Sequence, residues 1–266
     1  MKMGFLKQPF SLLWKYRNLL YRTTSSDIKG RYAGTLMGIA WLAIYPLLFL
    51  SLYAVVYVAI FKVRFGEMRS FDYVLMIFAG LIPFLNFVEM LGVGVNSVTS
   101  NSQLIKNTLF PIELIPVKAV LSCLPGLVIS LTILETALIV CGKASFFNII
   151  VLAVILLQYV FSIGLCWILS ALNVFIKDIG QIIPIISLFL MLVSPIAYTI
   201  DMVPPKAMTF MYFNPLFYLI MLYRSVLLGS VFPWRQFCVF GVVSFALFYI
   251  GFALFVRLKR IFTDEC

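Results

Sequence analysis

The sequence contains no histidine. That absence removes the commonest general acid–base group, the Ser-His nucleophile pair and His-ligated metal sites. Charge is scarce: Asp, Glu, Lys and Arg make up 11% of 266 residues, where a soluble domain carries about a quarter. No GxxxxGK[ST] phosphate loop is present. The pair Gly142–Lys143 is followed by Ala144 and lacks the upstream glycine, so the chain has no such loop with which to hydrolyse ATP. The five cysteines, Cys123, Cys141, Cys166, Cys238 and Cys266, show no CxxC or paired spacing. They read as small apolar packing residues, not as ligands or a redox pair, and no metal site is expected. The N-terminal "MKMGFLKQPF" lacks the apolar core and small-residue cleavage site of a signal peptide, so it is expected to be retained.

What fills the chain instead is apolar: 63% of residues are hydrophobic, which predicts an all-α integral membrane protein. Spans of about 20 apolar residues are predicted near 36–61, 72–98, 117–141, 147–172, 181–200 and 236–256. A further apolar stretch, 207–232, is interrupted by Asn214–Pro215 and by Arg224. Broken backbone survives in a bilayer only inside protein or facing water. A re-entrant pair of short helices is therefore expected at about 203–228. Six spans place both termini on one side. The 20 basic residues outnumber the 10 acidic ones. Half of them (Lys2, Lys7, Lys15, Arg17, Arg22, Lys29, Arg31, Arg257, Lys259, Arg260) lie in the two termini, which points both to the cytoplasm. Lys62, Arg64 and Arg69, in a loop predicted outside, run mildly against the rule. No long basic cluster suggests nucleic acid as a partner. Residues 1–34 read as a cytoplasmic arm, with an amphipathic interface helix over 10–24 whose apolar face is Leu12, Leu13, Tyr16, Leu19 and Leu20. Residues 35–266 read as the transmembrane domain. A short helix, about 100–116, is expected beneath the membrane, ended by its prolines.

Several residues stand out as candidates for function. Trp41, Tyr45, Phe49, Tyr53, Tyr57 and Phe61 are aromatic and four apart. Each step of four advances about 400° on a helix, so the stripe winds slowly around one side through the bilayer depth. Interfacial belts place aromatics only at the two ends. The ladder reads either as a surface on which sugar rings slide or as helix and lipid contact. Glu89 and Glu135 lie within spans, where a charge faces a cavity or a partner. Polar pairing, a polar conduit and a proton relay are the readings open to them. Arg224 is either a site for an anionic group or part of a structural pair. "KDIG", Lys177–Gly180, reads as a solvated turn. Gly30, Gly34 and Gly38 are expected to let backbones approach closely.

The order of these features carries a resemblance. An amphipathic arm leads into "SDIKGRYAGTLMGIAW", "LIKNTLFPIELIP" follows the second span, and a broken "NPLFYLIMLYR" precedes the last. Together they resemble the membrane subunit of polysaccharide-exporting ATP-binding-cassette transporters, which move O-antigen, capsule or teichoic-acid chains. The first stretch resembles "RDIKxRYxxSxLGxxW". It keeps Asp27, Ile28, Lys29, Arg31, Tyr32 and Trp41 and departs at Ser26, Thr35 and Met37, with Gly38 following. The resemblance implies a homodimer of six-span subunits above two separate ATPase subunits, with ATP and Mg held by that partner and none in this chain. It implies a lipid-linked polysaccharide as substrate and a bacterial cytoplasmic membrane as location. It puts ATPase coupling on Asp27, Lys29, Arg31 and Tyr32 and on the loop helix from Gln103 through Lys106 and Phe110 to Glu113. It makes the broken helices around Asn214, Pro215 and Arg224 an outer gate. The alternatives are an exporter of small amphipathic molecules or lipids with a similar partner, and a membrane-embedded enzyme. Sparse carboxylates and missing histidine speak against the latter.

Overall fold

The computed structural model describes residues 3–60, 70–101, 110–143, 146–199, 202–229 and 232–262. All regular elements among them are helical. The arm comprises α1 (Met3–Lys15) and α2 (Arg17–Tyr32). The single helix expected over 10–24 is thus two, because Tyr16 leaves helical geometry at ψ 17°. The expected face still packs: Leu12, Leu13, Tyr16 and Leu19 lie against the core and Leu20 is buried within it.

After α2 the chain extends at Ala33 and turns through Gly34 (φ 81°) and Gly38 (φ 51°). This corrects the reading of the glycine trio. A Cβ at Gly30, Gly34 or Gly38 would meet nothing within 4 Å, so no close approach occurs there. Two of the three are glycine because a left-handed turn needs it.

The remaining helices are α3 (Trp41–Ala54), α4 (Ser70–Val95), α5 (Ser97–Ser100), α6 (Leu114–Leu121), α7 (Leu124–Val140), α8 (Val151–Phe175), α9 (Asp178–Val193), α10 (Pro205–Tyr212), α11 (Pro215–Leu228) and α12 (Trp234–Leu258). Four stretches are long and apolar enough to cross a membrane: Phe71–Val95, Leu114–Val140, Asn148–Phe175 and Trp234–Leu258. Counting the bent pair α10–α11 as one makes five, against the six expected. The expected spans at 36–61 and 181–200 appear as shorter apolar helices, Gly38–Ala54 and Asp178–Val193. The causes are local. The first carries Pro46 inside its helix and widens into a π turn over Val55–Ile60. The other leaves helix at Ser194 (ψ 144°) and bends through residues 195–198.

The helix expected over 100–116 is also revised where it is described. Residues 102–109 lie outside the described residues. Pro111 precedes a turn, its carbonyl accepting from the Leu114 N–H at 2.9 Å, and Pro116 falls in the first turn of α6 instead of ending a helix. Donors in a first helical turn have no intrahelical acceptor, so proline is harmless there. The break at Asn214–Pro215 matches expectation. The two helices meet at 98°, Pro215 opens α11, and the Asn214 side chain accepts from the Leu216 N–H at 3.0 Å.

α8 and α12 make the most extensive helix contact, across Gly164 and Gly251. A Cβ on Gly164 would stand 2.6 Å from the backbone of Leu247 and Phe248. Gly164→Val should therefore force this seam apart and cost about 1–3 kcal/mol, read as a lowered thermal unfolding midpoint in detergent. Gly241→Ala, whose Cβ would meet only Leu157 at 3.9 Å, should leave the midpoint in place. Equal midpoints for both variants would remove the seam from this account.

Candidate functional site: the arm clasp and an aromatic cavity

Asp27 and Arg31 stand four apart on α2, one helical turn, and so share a face. Lys118 and Ser122 stand four apart along α6 and its C-terminal cap. Lys118 pairs with Asp27 at 2.9 Å, and Arg31 Nη2 donates to Ser122 Oγ at 2.6 Å. α2 therefore runs beside α6 in the same direction. Arg31 Nη1 donates to Glu89 Oε1 on α4, also at 2.6 Å. One planar guanidinium thus bridges two helices from two of its nitrogens, which a lysine ammonium on its flexible stem reproduces poorly.

The clasp falls where the candidate span Leu114–Val140 is interrupted. Between α6 and α7 the helix breaks at Ser122 and Cys123, and Pro125 opens the next helix without an N–H. Side chains stitch the break. Ser122 Oγ donates to the Ala119 carbonyl at 2.7 Å, and Asn86 Nδ2 donates to the Cys123 carbonyl at 3.1 Å. From Asn86 a buried polar line continues inward. Gln158 Nε2 donates to Asn86 Oδ1 (3.2 Å) and to the Pro83 carbonyl (3.1 Å), and Tyr223 Oη donates to Gln158 Oε1 (2.6 Å). The line joins the broken span, α4, α8 and α11.

Beside the clasp lies a cavity of about 230 Å³ between α3, α4 and α7. Its wall includes Trp41, Tyr45, Pro46, Asn86, Glu89 and Ser130. The first two rungs of the ladder thus face the same space as the Glu89 carboxylate. Trp41 and Tyr45 are 41% and 51% exposed, whereas Phe49 and Tyr53 are half-buried against the core. Tyr45 leans on Phe49 at a ring separation of 5.0 Å. Tyr57 lies in the π turn and nothing is described of its side chain; Phe61 lies outside the described residues.

The other predicted site residues are dispersed. Lys29 is exposed on α2. Tyr32 ends α2, and its side chain is not described. Gln103 and Lys106 lie outside the described residues. Phe110 packs half-buried against the core. Glu113 is buried, pairs with Lys259 beyond α12, and its carbonyl accepts from Trp167 Nε1 at 2.9 Å. Asp72 and Lys143 form an ion pair (2.6 Å) at the opposite end of the bundle. Glu135 is held by Asn148 Nδ2 at 3.0 and 2.9 Å. Arg224, 8% exposed, donates to the carbonyls of Met76 and Tyr198 (3.2 Å each) and of Ile196. It clamps the unwound segment after α9 onto α4. Asn214 reaches the same segment through Ser194 Oγ at 3.0 Å. The "KDIG" turn is pinned, not simply solvated: the Gly180 N–H donates to Asn173 Oδ1 at 2.9 Å. Among the described residues no group of three or more His, Cys, Asp or Glu could hold a metal ion.

Sequence reasoning missed Lys118, Ser122, Asn86 and Gln158. The signal was available for the last two, since an amide inside an apolar span needs a partner there. Nothing local marked Ser122 as the far end of a contact with Arg31, 91 residues away.

The fold defines a multi-pass helical membrane protein, and residues 10–228 match the ABC-2 type transporter family; the chain belongs to that family. Its curated relatives are more particular. It is 27% identical to an O-antigen export system permease protein RfbA of Klebsiella pneumoniae, across 97% of this chain and 98% of the relative. A second protein of that name from the same organism is 24% identical over 97% and 98%. One from Myxococcus xanthus is 22% identical over 95% and 97%.

Removing Arg31 leaves Glu89 without its counter-ion and α2 without its upper tether. A partly exposed pair of this kind contributes about 1 kcal/mol. Arg31→Ala should raise the rate of limited tryptic cleavage within α2 roughly fivefold, the factor that energy represents. An unchanged rate would show that the clasp does not hold the arm.

Proposed function

We propose that the chain is the channel-forming membrane subunit of an ATP-driven exporter of lipid-linked, O-antigen-like polysaccharide. The observation that carries this reading is similarity over 95–97% of the chain to permeases named for O-antigen export. Six membrane passes are proposed: the four long candidate spans plus the two shorter apolar helices at Gly38–Ala54 and Asp178–Val193. The α10–α11 pair then re-enters from the outside, and both termini face the cytoplasm of a bacterial inner membrane. The working unit is a homodimer with two ATPase subunits, which supply the ATP site missing here.

The geometry supports a division of labour within the coupling set. Asp27, Arg31 and Glu113 are engaged by this chain's own residues. They are suited to passing on a push, while Lys29, exposed on α2, is open to direct ATPase contact; the family resemblance adds Tyr32, Gln103 and Lys106 to that contact, with Phe110 packed against the core. ATP-driven closure of the paired ATPases pushes α2. Because Asp27 and Arg31 tie α2 to α4 and α6, the push reaches the membrane bundle and shifts α3 beside it. The glycan slides over Trp41, Tyr45, Phe49 and Tyr53, continuing past Tyr57 and Phe61. Aromatic faces stack on sugar rings without demanding one orientation, which suits a moving polymer. Asn214, Pro215 and Arg224 build the outer gate by shaping and clamping the bent pair.

Tyr45→Ala, Phe49→Ala and Tyr53→Ala combined remove three stacking surfaces, each contributing about 0.5–1.5 kcal/mol. Surface polysaccharide should fall roughly tenfold or more while complex assembly and basal ATP hydrolysis persist. Normal surface polysaccharide in the triple variant would refute the aromatic path. Stimulation of ATP hydrolysis by amphipathic small molecules but not by the glycan would favour the small-molecule exporter instead.

A further inference from the structure

The cavity beside the arm clasp has a chemistry more specific than an aromatic path requires. Two rings, Trp41 and Tyr45, present partly exposed faces from α3. Opposite them, α4 and α7 contribute an amide, a carboxylate and a hydroxyl: Asn86, Glu89 and Ser130. The hydrogen-bonding state of these three groups decides what they can bind. The Asn86 amide is engaged at both ends, by the Cys123 carbonyl and by Gln158. Ser130 Oγ donates to the Gly126 carbonyl at 2.8 Å, so its hydroxyl keeps only acceptor capacity. Glu89 accepts from Arg31 through Oε1 and, as a carboxylate with about four lone-pair sites, retains acceptor capacity as well. Glu89 and Ser130 therefore offer acceptors, and a ligand that brings donors, as hydroxyl groups do, matches them.

Charge narrows the choice. A lone carboxylate among aromatic rings would suit a cation. Here Arg31 already neutralises Glu89, so a cationic ligand gains little, while an anionic one would meet the carboxylate directly. What remains is a neutral ring with apolar C–H faces for Trp41 and Tyr45 and hydroxyls for Glu89 and Ser130. The space also depends on one residue with no side chain. At Gly126 a Cβ would stand 3.5 Å from Leu42 Cδ2 and 3.6 Å from Glu89 Oε2, so anything longer than alanine projects into the cavity.

We infer that this cavity is a subsite for a single neutral pyranose unit, gripped between Trp41–Tyr45 and Glu89–Ser130 at the point where the arm is clasped to the bundle. The inference rests on the export reading and adds to it a discrete station on the glycan path. Because Arg31 holds the same carboxylate from the arm side, a displacement of α2 changes the charge a bound sugar meets. That links arm position to sugar occupancy.

The test is saturation-transfer NMR on the full chain with its ATPase partner in nanodiscs, using neutral methyl pyranosides of gluco, galacto, manno and rhamno configuration. Tetramethylammonium and inorganic phosphate serve as cationic and anionic probes. Transfer to the ring C–H protons of at least one pyranoside is expected, falling roughly fivefold or more in Gly126→Leu and in Tyr45→Ala and persisting in Thr132→Val. Tyr45→Ala carries the test if Gly126→Leu fails to fold. No transfer to any pyranoside, transfer unchanged in both cavity variants, or displacement of the sugar by tetramethylammonium would overturn the inference. Surface polysaccharide separates this claim from the one beneath it. Normal export by a folded Gly126→Leu protein sinks the subsite and spares the export reading. Unchanged surface polysaccharide in a strain lacking the protein sinks the export reading, while the NMR result still judges the cavity.

Discussion

A carboxylate inside an apolar helix needs a positive partner or a wet cavity, and Glu89 has both: Arg31 on one side and an open space on the other. Much else is arranged around that demand. The guanidinium must come from outside the bundle, so α2 is drawn alongside α6, where Asp27 and Lys118 hold the same register one turn earlier. The guanidinium's second contact needs a hydroxyl, and Ser122 supplies it where the span Leu114–Val140 breaks. The break has its own requirement, an acceptor-hungry amide, which Asn86 meets. The arm is therefore built into the membrane bundle and is no detachable anchor.

Two other constraints divide the bundle into a rigid side and an interrupted side. The glycine seam between α8 and α12 brings backbones into contact and leaves no slack. On the other side, helices stop short: α3 passes into a π turn, α9 ends at Ser194, and α10 and α11 meet at 98°. Interrupted helices leave backbone groups without intrahelical partners. Arg224 supplies donors for three carbonyls, Tyr73 Oη donates to the Ala197 carbonyl at 2.7 Å, and Asn214 closes the corner. The line Tyr223–Gln158–Asn86 runs between the two regions and ends at the clasp. On the proposed function, it lies between the pushed arm and the outer gate.

Much of this was legible in the sequence. Apolar runs predicted the helical membrane fold and the position of most helices. Asn214–Pro215 marked the sharp bend because proline cannot continue a helix and asparagine caps one. The aromatic spacing singled out Trp41 and Tyr45 together, and both line the cavity beside Glu89. What was not legible was pairwise and long-range. Composition cannot tell an apolar helix that stops short from one of full length, since Pro46 and the segment after Val193 cut helices without making the sequence less apolar. Four-residue glycine spacing suggested helix contact at Gly30, Gly34 and Gly38, but the contact lies at Gly164 and Gly251, on different helices. The basic residues Arg31 and Lys259 counted as cytoplasmic anchors, yet each is spent on one acidic partner that only folding brings near.

The central claim is that the arm drives the bundle through the Arg31–Glu89 pair. Exchanging the charges tests it most directly. Export of surface polysaccharide would be measured for Arg31→Glu, for Glu89→Arg and for the two together. The account predicts that each single reversal abolishes export by setting like charges together, and that the double exchange restores a substantial part of it. Full export in either single variant, or no recovery in a folded double variant, would contradict it.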